Sequence, residues 1–248
     1  MKFLIKDANV VLENSVKKKD ILVKNGIIYE IKNNIKNKED AILVDANNLF
    51  CMPGLVDLHV HLREPGFVEK ETIRTGSLAA AKGGVTSLVC MANTNPVIDN
   101  VESLKFLKKI IKKQNVKIYP VAAITKNLKG KKLVDFSVLK EFGAVGFSDD
   151  GFFLENSSLM KTAMKKAKKL NVPIFSHCED YFLSAENKFE TDCEAVAVAR
   201  DVALCYITNC PVHICHVSSF FSVTIIREAK KLKVPVTAQT CPHYFMLT

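Results

Sequence analysis

The rhythm of hydrophobic and polar positions changes once along the chain, near residue 54. Before it, short β-rich runs alternate with polar turns, as in Phe3-Leu4-Ile5, Asn9-Val10-Val11-Leu12, Asp20-Ile21-Leu22-Val23 and Gly26-Ile27-Ile28-Tyr29. Such runs predict a small antiparallel sheet or sandwich, and Cys51-Met52-Pro53-Gly54 punctuates its end. From about residue 55, strand-like runs alternate with stretches of helical period. Strands are predicted at 55–61, 85–91, 117–124, 144–148, 173–177, 212–216 and 234–240. Helices are predicted at 101–113, where Leu104, Leu107, Ile110 and Ile111 share one side, and at 157–170. This alternation is the mark of βα units and a parallel sheet. About seven strands are too many for a small doubly wound domain and point to a (β/α)8 barrel of the TIM type. One strand short, such a barrel would expose two costly parallel edges. The expected organisation is therefore α/β: a small N-terminal β-sandwich segment, 1–53, and an incomplete barrel, 54–248, truncated before its last strand.

Composition narrows the class. With 248 residues, 48% hydrophobic and 25% charged, the chain can bury a sizeable core; disorder, collagen-like repeats and a disulfide-rich miniprotein are excluded. The 35 Lys+Arg against 26 Asp+Glu leave a net charge of +9. The lysines cluster in helix-like runs such as Lys165-Lys166, Lys168-Lys169 and Lys230-Lys231, without interleaved aromatics, which favours a solvated basic surface over a nucleic-acid site. None of the 8 cysteines forms a C-x-x-C pair, and several lie in apolar runs. They read as buried thiols of a reducing compartment. The N-terminal residues lack the apolar stretch of a signal peptide, and no run approaches a membrane span. A cytoplasmic protein with no membrane partner is expected.

The chemistry gathers at predicted strand ends. In Leu55-Val56-Asp57-Leu58-His59-Val60-His61-Leu62, the strand period places Val56, Leu58, Val60 and Leu62 on one apolar face, suited to packing against helices. Asp57, His59 and His61 share the other. Two imidazoles at i, i+2 can hold one metal side by side, yet a lone pair serves a structural role equally well. Gly146-Phe147-Ser148-Asp149-Asp150-Gly151 places two carboxylates at the end of the fourth predicted strand, where a plain Asx turn is the bland alternative. His177 closes the fifth. On the sixth, His213 and His216 are an odd number apart and cannot both face inward on a regular strand; His216, nearer the end, is the better candidate. Histidine or aspartate at four strand ends, on the face where barrel active sites assemble, favours a metal centre over satisfied structural groups. Three or more histidines with a carboxylate suit Zn²⁺ or a similar divalent ion, and a bridging carboxylate would permit two.

These residues also carry a resemblance. Pro53-Gly54-Leu55-Val56-Asp57-Leu58-His59-Val60-His61-Leu62-Arg63-Glu64-Pro65-Gly66 resembles the signature of the amidohydrolase superfamily, and its Arg-Glu-Pro-Gly tail resembles the dihydroorotase/allantoinase branch. Met91-Ala92-Asn93-Thr94-Asn95-Pro96 is similar to that branch's second-strand motif, with Ala92 where proline is usual. Phe147-Ser148-Asp149-Asp150-Gly151 is similar to the stretch where class I dihydroorotases carry a bridging aspartate; allantoinases and hydantoinases carry a carboxylated lysine, and no lysine occupies this turn. His177-Cys178-Glu179-Asp180, His216-Val217-Ser218-Ser219 and Thr240-Cys241-Pro242-His243 continue the likeness in order over nearly the whole chain.

The resemblance implies reversible, zinc-dependent cyclisation of N-carbamoyl-L-aspartate to L-dihydroorotate in pyrimidine synthesis. On it, His59, His61 and Asp150 would hold one zinc and Asp150, His177 and His216 a second. Arg63 and Asn93 would bind the substrate carboxylate, with a surface cation and a turn former as the plain alternatives. The family's general acid/base, an aspartate on the eighth strand, would lie beyond Thr248, so this chain alone is expected to turn over little or nothing. The 183–193 connection also reads as shorter than the family's usual loop. A homodimer or association with aspartate transcarbamoylase are the assemblies implied. The competing readings are a non-catalytic scaffold for that transcarbamoylase, which would have no physical need of converging histidines, and an allantoinase or hydantoinase.

Overall fold

The computed structural model describes residues 1–37, 40–186 and 192–247, and the chain divides into two compact units, Met1–Gly54 and Leu55–Thr248.

In the first unit, β1 (Lys2–Leu12), β2 (Ser15–Lys24) and β3 (Ile27–Lys32) pair antiparallel in succession. Asn25 and Gly26, both at positive φ, close the β2–β3 hairpin, as a two-residue loop between right-twisted strands requires. β4 (Ile42–Asp45) and β5 (Phe50–Cys51) instead run parallel to β1. The described residues thus form one mixed sheet where the pattern predicts an antiparallel sheet or sandwich. The cause is a register shift in β1 between Ile5 and Ala8, around Asp7 at φ 59°. It lets Phe3–Lys6 pair with β4 while Asn9 and Val10 pair with β5. Two small apolar clusters result, Leu4 with Leu22, Ile35 and Ala41, and Ala8 with Val10, Ile21 and Ala46. Between them the buried Asp20 carboxylate accepts from the Lys6 ammonium, from Asp7 N–H at 3.0 Å and from Ile35 N–H at 2.8 Å.

The second unit is a partial barrel wall dressed with helices. Its elements are β6 (Leu55–Val60), α1 (Ile73–Lys82), β7 (Val85–Cys90), α2 (Val101–Ile111), β8 (Lys117–Pro120), α3 (Phe136–Glu141), α4 (Ser157–Lys169), β9 (Ile174–Ser176), α5 (Tyr181–Glu186), α6 (Asp192–Thr208), β10 (Val212–Ile214), α7 (Phe220–Lys231), β11 (Val236–Ala238) and α8 (His243–Met246). Strands β6-β7-β8 and β9-β10-β11 form two parallel triplets. Residues 144–148, predicted as a strand, form instead a hydrogen-bonded seam between them: Ser148 N–H donates to Ala122 C=O at 2.9 Å, and Phe175 N–H to Phe147 C=O at 2.9 Å. The wall therefore runs in chain order through seven segments, though each is shorter than its apolar run, because the ends splay into the loops that carry the chemistry.

Strand alternation sorts the core into two layers. Leu88, Cys90, Ile118, Ile174, Val212 and Ile214 face the helices and pack with Leu104, Leu107, Met160, Ala163 and Val198. Their neighbours Val89, Met91, Val121, Phe175 and Cys215 form a separate inner cluster, the side-chain filling of a barrel. Phe147 is fully buried and stacks on Phe136 with ring centroids 4.0 Å apart. The helices start on short polar caps, such as Asn100 accepting from Ser103 N–H and Asn156 from Leu159 N–H, both at 3.0 Å.

Strand β6 departs from expectation on its apolar face. Leu62 is buried, but Val56 and Leu58 are 59% and 40% exposed. The helix that follows β6, α1, makes its principal strand contact with β7. Among the described residues, no helix is long and apolar enough to cross a membrane. Cys90, Cys178, Cys205, Cys210 and Cys215 are buried free thiols, as their apolar surroundings suggest.

Candidate metal centre

His59 lies on β6 and His61 just past its end, two residues apart and therefore on the same side of the strand. Their Nε2 atoms stand 3.3 Å apart. His177 follows β9 directly. His216 follows β10 by two residues and adopts φ 42°. That left-handed turn brings its Nε2 to 2.9 Å from His177 Nδ1.

One carboxylate sits among the four rings. Asp150, 3% exposed, presents Oδ1 to His59 Nε2 at 3.2 Å, His177 Nδ1 at 3.6 Å and His216 Nε2 at 3.9 Å, and Oδ2 to His61 Nε2 at 3.4 Å. Its neighbour has another duty. Asp149 Oδ1 accepts from Ile124 N–H at 2.7 Å and Thr125 N–H at 2.9 Å, and Oδ2 from the Thr125 hydroxyl, so it moors the loop beyond β8.

The donor set fits a divalent cation. Corners of a tetrahedron around zinc, with bonds of about 2.0–2.1 Å, stand about 3.3–3.4 Å apart; the His59, His61 and Asp150 separations of 3.2–3.4 Å match that edge, and those among Asp150, His177 and His216 span 2.9–3.9 Å. Asp150 Oδ1 is buried with no hydrogen-bond donor although three imidazole nitrogens face it, an arrangement that costs free energy unless a cation satisfies it. Two triads could hold an ion, His59 with His61 and Asp150, and Asp150 with His177 and His216. The charges respond accordingly. Burial alone would raise the Asp150 pKa, but the imidazoles of His177, His216 and His59 hold the carboxyl far below the usual carboxylate range. Burial pushes His61 down, and the pull of Asp150 only partly offsets it. For His177 burial acts the same way, yet Asp150 and Glu179 outweigh it and raise the value.

Supporting contacts orient the rings. His61 Nδ1 lies 3.0 Å from Asn93 Oδ1, and the Asn93 amide reaches toward Asp150 Oδ2 at 3.4 Å. Asn93 thus braces the rings as well as lining the site. Arg63 sits close enough for its charge to be felt at His61. Its loop packs tightly: at Gly66, φ 101°, an added Cβ would stand 2.2 Å from the Asn95 carbonyl oxygen, so only glycine fits where the 63–66 and 93–96 loops meet. Glu179 accepts from His177 Nε2 at 3.1 Å and from the Ser184 hydroxyl at 2.7 Å. It stands inside a quoted motif, but nothing in spacing alone singles it out.

His213 lies on the inner face of β10. It alternates with Val212 and Ile214, which face the helices, and its ring packs on Phe175 of the inner cluster with centroids 5.4 Å apart. Both His213 and His216 therefore turn inward. Their odd spacing forbids this only on a regular strand, whereas β10 ends at Ile214 and the left-handed backbone at His216 resets the alternation. His213 Nδ1 bonds Thr237 Oγ1 at 2.8 Å, and His213 lies outside both ligand triads.

A parallel wall with imidazoles and one shared carboxylate at a single rim defines a barrel-type candidate metal site. Solved structures similar to this chain share its fold: L-hydantoinase (dihydropyrimidinase) from Arthrobacter aurescens matches with a TM-score of 0.86 and 22% identity over 99% of this chain and 59% of its own. Dihydropyrimidinase from Brevibacillus agri matches at 0.83 and 22%, covering 100% of this chain and 59% of its own. The dihydro-orotase-like family model matches residues 49–222, and the chain belongs to that family. Among curated relatives, the dihydroorotase of Syntrophus aciditrophicus is 46% identical over 266 residues and that of Bacillus cytotoxicus 43% over 263. Each match takes in 100% of this chain but only 62% and 61% of the relative, so the chain spans about three fifths of the length of those proteins.

Proposed function

We propose that this chain carries the metal centre of a dihydroorotase, interconverting N-carbamoyl-L-aspartate and L-dihydroorotate with two zinc ions bridged by Asp150. The observation that supports it best is Asp150 itself, a buried carboxylate within 3.9 Å of four imidazole nitrogens at a position where a hydantoinase-type site would need a lysine. His59 and His61 would hold one ion, His177 and His216 the other. Bound zinc would supply Lewis acidity and an activated water near neutral pH.

The chain's own residues would then bind and orient. The Arg63 guanidinium, whose charge already reaches His61, would take the substrate carboxylate in a forked, charge-assisted contact. Asn93 would add a neutral donor while keeping His61 Nδ1 engaged, which fixes the ring with Nε2 toward Asp150. Glu179 would engage His177 Nε2 and so keep the opposite nitrogen, Nδ1, toward Asp150. The partners required are small molecules, and a reducing cytoplasm suits the buried thiols.

The test has two arms. Zinc analysis of the purified chain is expected to give two ions per chain; one ion would overturn the bridged pair. Zinc-dependent turnover by the protein that carries this chain is expected with L-dihydroorotate and N-carbamoyl-L-aspartate. Preference for hydantoin or allantoin would overturn the substrate assignment.

A further inference from the structure

We infer that Glu194, near the start of α6, is a positioning residue that holds His216 in its ligand geometry; this rests on the metal reading above. His216 stands at φ 42°, left-handed backbone that is strained for a residue with a Cβ and persists only where the surroundings over-determine it. The restraint lies in the residues that follow. The Glu194 carboxylate, 9% exposed, accepts from Ser218 N–H at 2.9 Å and the Ser218 hydroxyl at 2.5 Å through Oε2, and from Ser219 N–H at 3.0 Å through Oε1. From the other side, Val217 N–H donates to the Gln239 carbonyl at 2.8 Å. The turn carrying His216 is pinned between α6 and the segment after β11. With both oxygens engaged by this turn, Glu194 fixes backbone and acts through His216.

The same helix ties the neighbouring ligands. Asp201, fully buried, accepts from the hydroxyl of Ser176, the residue before His177. Arg200 donates to the carbonyls of Leu154 at 2.6 Å and Glu155 at 3.1 Å, on the loop that leaves Asp150. Helix α6 thus holds three ligand-bearing segments by side chains that point at backbone or at a residue next to a ligand, with Glu194 serving His216.

The experiment titrates the full 248-residue chain with Zn²⁺ against a competing chelator, with the Co²⁺ absorption spectrum as a second readout. The variants are Glu194→Ala, Glu194→Gln, and Val198→Ala as a packing control in the same helix, where Val198 is fully buried. Glu194→Ala is expected to weaken one of the two ions about 10- to 100-fold and to alter the Co²⁺ bands, as loss of an orienting partner does. Glu194→Gln keeps one acceptor oxygen and loses less. Val198→Ala lowers the melting temperature but leaves zinc affinity unchanged. Wild-type affinity and spectrum in Glu194→Ala, or an equal loss in Val198→Ala, overturns the inference. Should Glu194→Ala fail to fold, Ser218→Ala removes the hydroxyl contact alone, and a loss of about twofold to fivefold is expected; no loss overturns it. A wild-type chain that binds no zinc would instead sink the metal reading beneath.

Discussion

Replacing Asp150 by asparagine keeps the side chain's size and removes the charge shared by four imidazoles, so it separates the proposed metal role from packing. A ligand present at 100 times its Kd stabilises the folded state by about 2.7 kcal/mol, and for a chain of this length each kcal/mol moves Tm by about 2–4 °C. Zinc at that level should raise the wild-type Tm by about 5–11 °C for each ion bound. Asp150 Oδ1 and Oδ2 face His59 at 3.2 Å and His61 at 3.4 Å, and His177 and His216 look onto the same carboxylate. Asparagine therefore leaves both triads with two imidazoles and a neutral amide. Loss of an outer-shell partner costs about 10–100-fold in affinity, and a facing carboxylate should reach at least the upper figure. A 100-fold loss brings the same zinc concentration to the variant's Kd, where stabilisation is about 0.4 kcal/mol per ion and the shift shrinks to about 1–2 °C for each. Scanning calorimetry with and without zinc reads this directly. Asp149→Asn is the matched control: its amide oxygen can still accept from Ile124 and Thr125 N–H, but its amide nitrogen cannot accept from the Thr125 hydroxyl, so it should lower the metal-free Tm yet keep the zinc increment. An Asp150→Asn protein that keeps the full increment refutes the reasoning.

Other outcomes follow from single residues. Burial would raise the Asp20 pKa, but bonds from Lys6, Asp7 N–H and Ile35 N–H hold it below its ordinary value. A carboxyl depressed in the folded state contributes stability above its unfolded pKa of about 4, lost as pH falls through the lower folded value. Asp20→Asn should thus cost about 1–3 kcal/mol at pH 7, with the gap narrowing in urea melts below about pH 4; a pH-independent difference would contradict this. Phe147→Ala empties a fully buried site between Phe136 and the strand seam and should cost about 3–5 kcal/mol in chemical denaturation. Arg63→Ala should weaken N-carbamoyl-L-aspartate binding by about 1.5–3 kcal/mol in calorimetric titration while leaving zinc affinity intact; unchanged substrate affinity would remove Arg63 from the site.

Much of the barrel wall could be read from apolar runs, because a strand buried on both faces announces itself as Val212-His213-Ile214 or Ile174-Phe175-Ser176 does. Its interruptions could not. Residues 144–148 pair through few backbone bonds, and their run does not record that the fourth segment is a seam. Period two placed His59 and His61 on one side, and there they stand, although the β6–β7 pairing shifts register between Asp57 and Val60. It does not extend to His213 and His216 together, because β10 ends at Ile214 and His216 stands at φ 42°, beside a turn bonded to Glu194 and Gln239, both remote in sequence. The division of labour between Asp149 and Asp150 was equally hidden. Two adjacent carboxylates look alike until Thr125 claims one of them. In the first unit, the antiparallel strands β1–β3 were legible as short β-rich runs between polar turns, whereas the parallel pairing of β4 and β5 depends on a distant bulge in β1.

Asp149 and Asp150 are consecutive, and one is anchored while the other is presented. The Cα from which residue 150 projects is held one peptide bond from a carboxylate fastened to Ile124 and Thr125. Exchanging the group displayed at 150, for instance carboxylate for amine, need not remodel the loop, since the fastening uses the Asp149 side chain and backbone groups such as Asp150 N–H, which donates to Ser148 Oγ at 3.0 Å. Such a layout lets chemistry diversify at one atom cluster while the scaffold stays put. By the same logic, inserting a single residue between the two would swing the displayed group away from the imidazoles without unfolding anything.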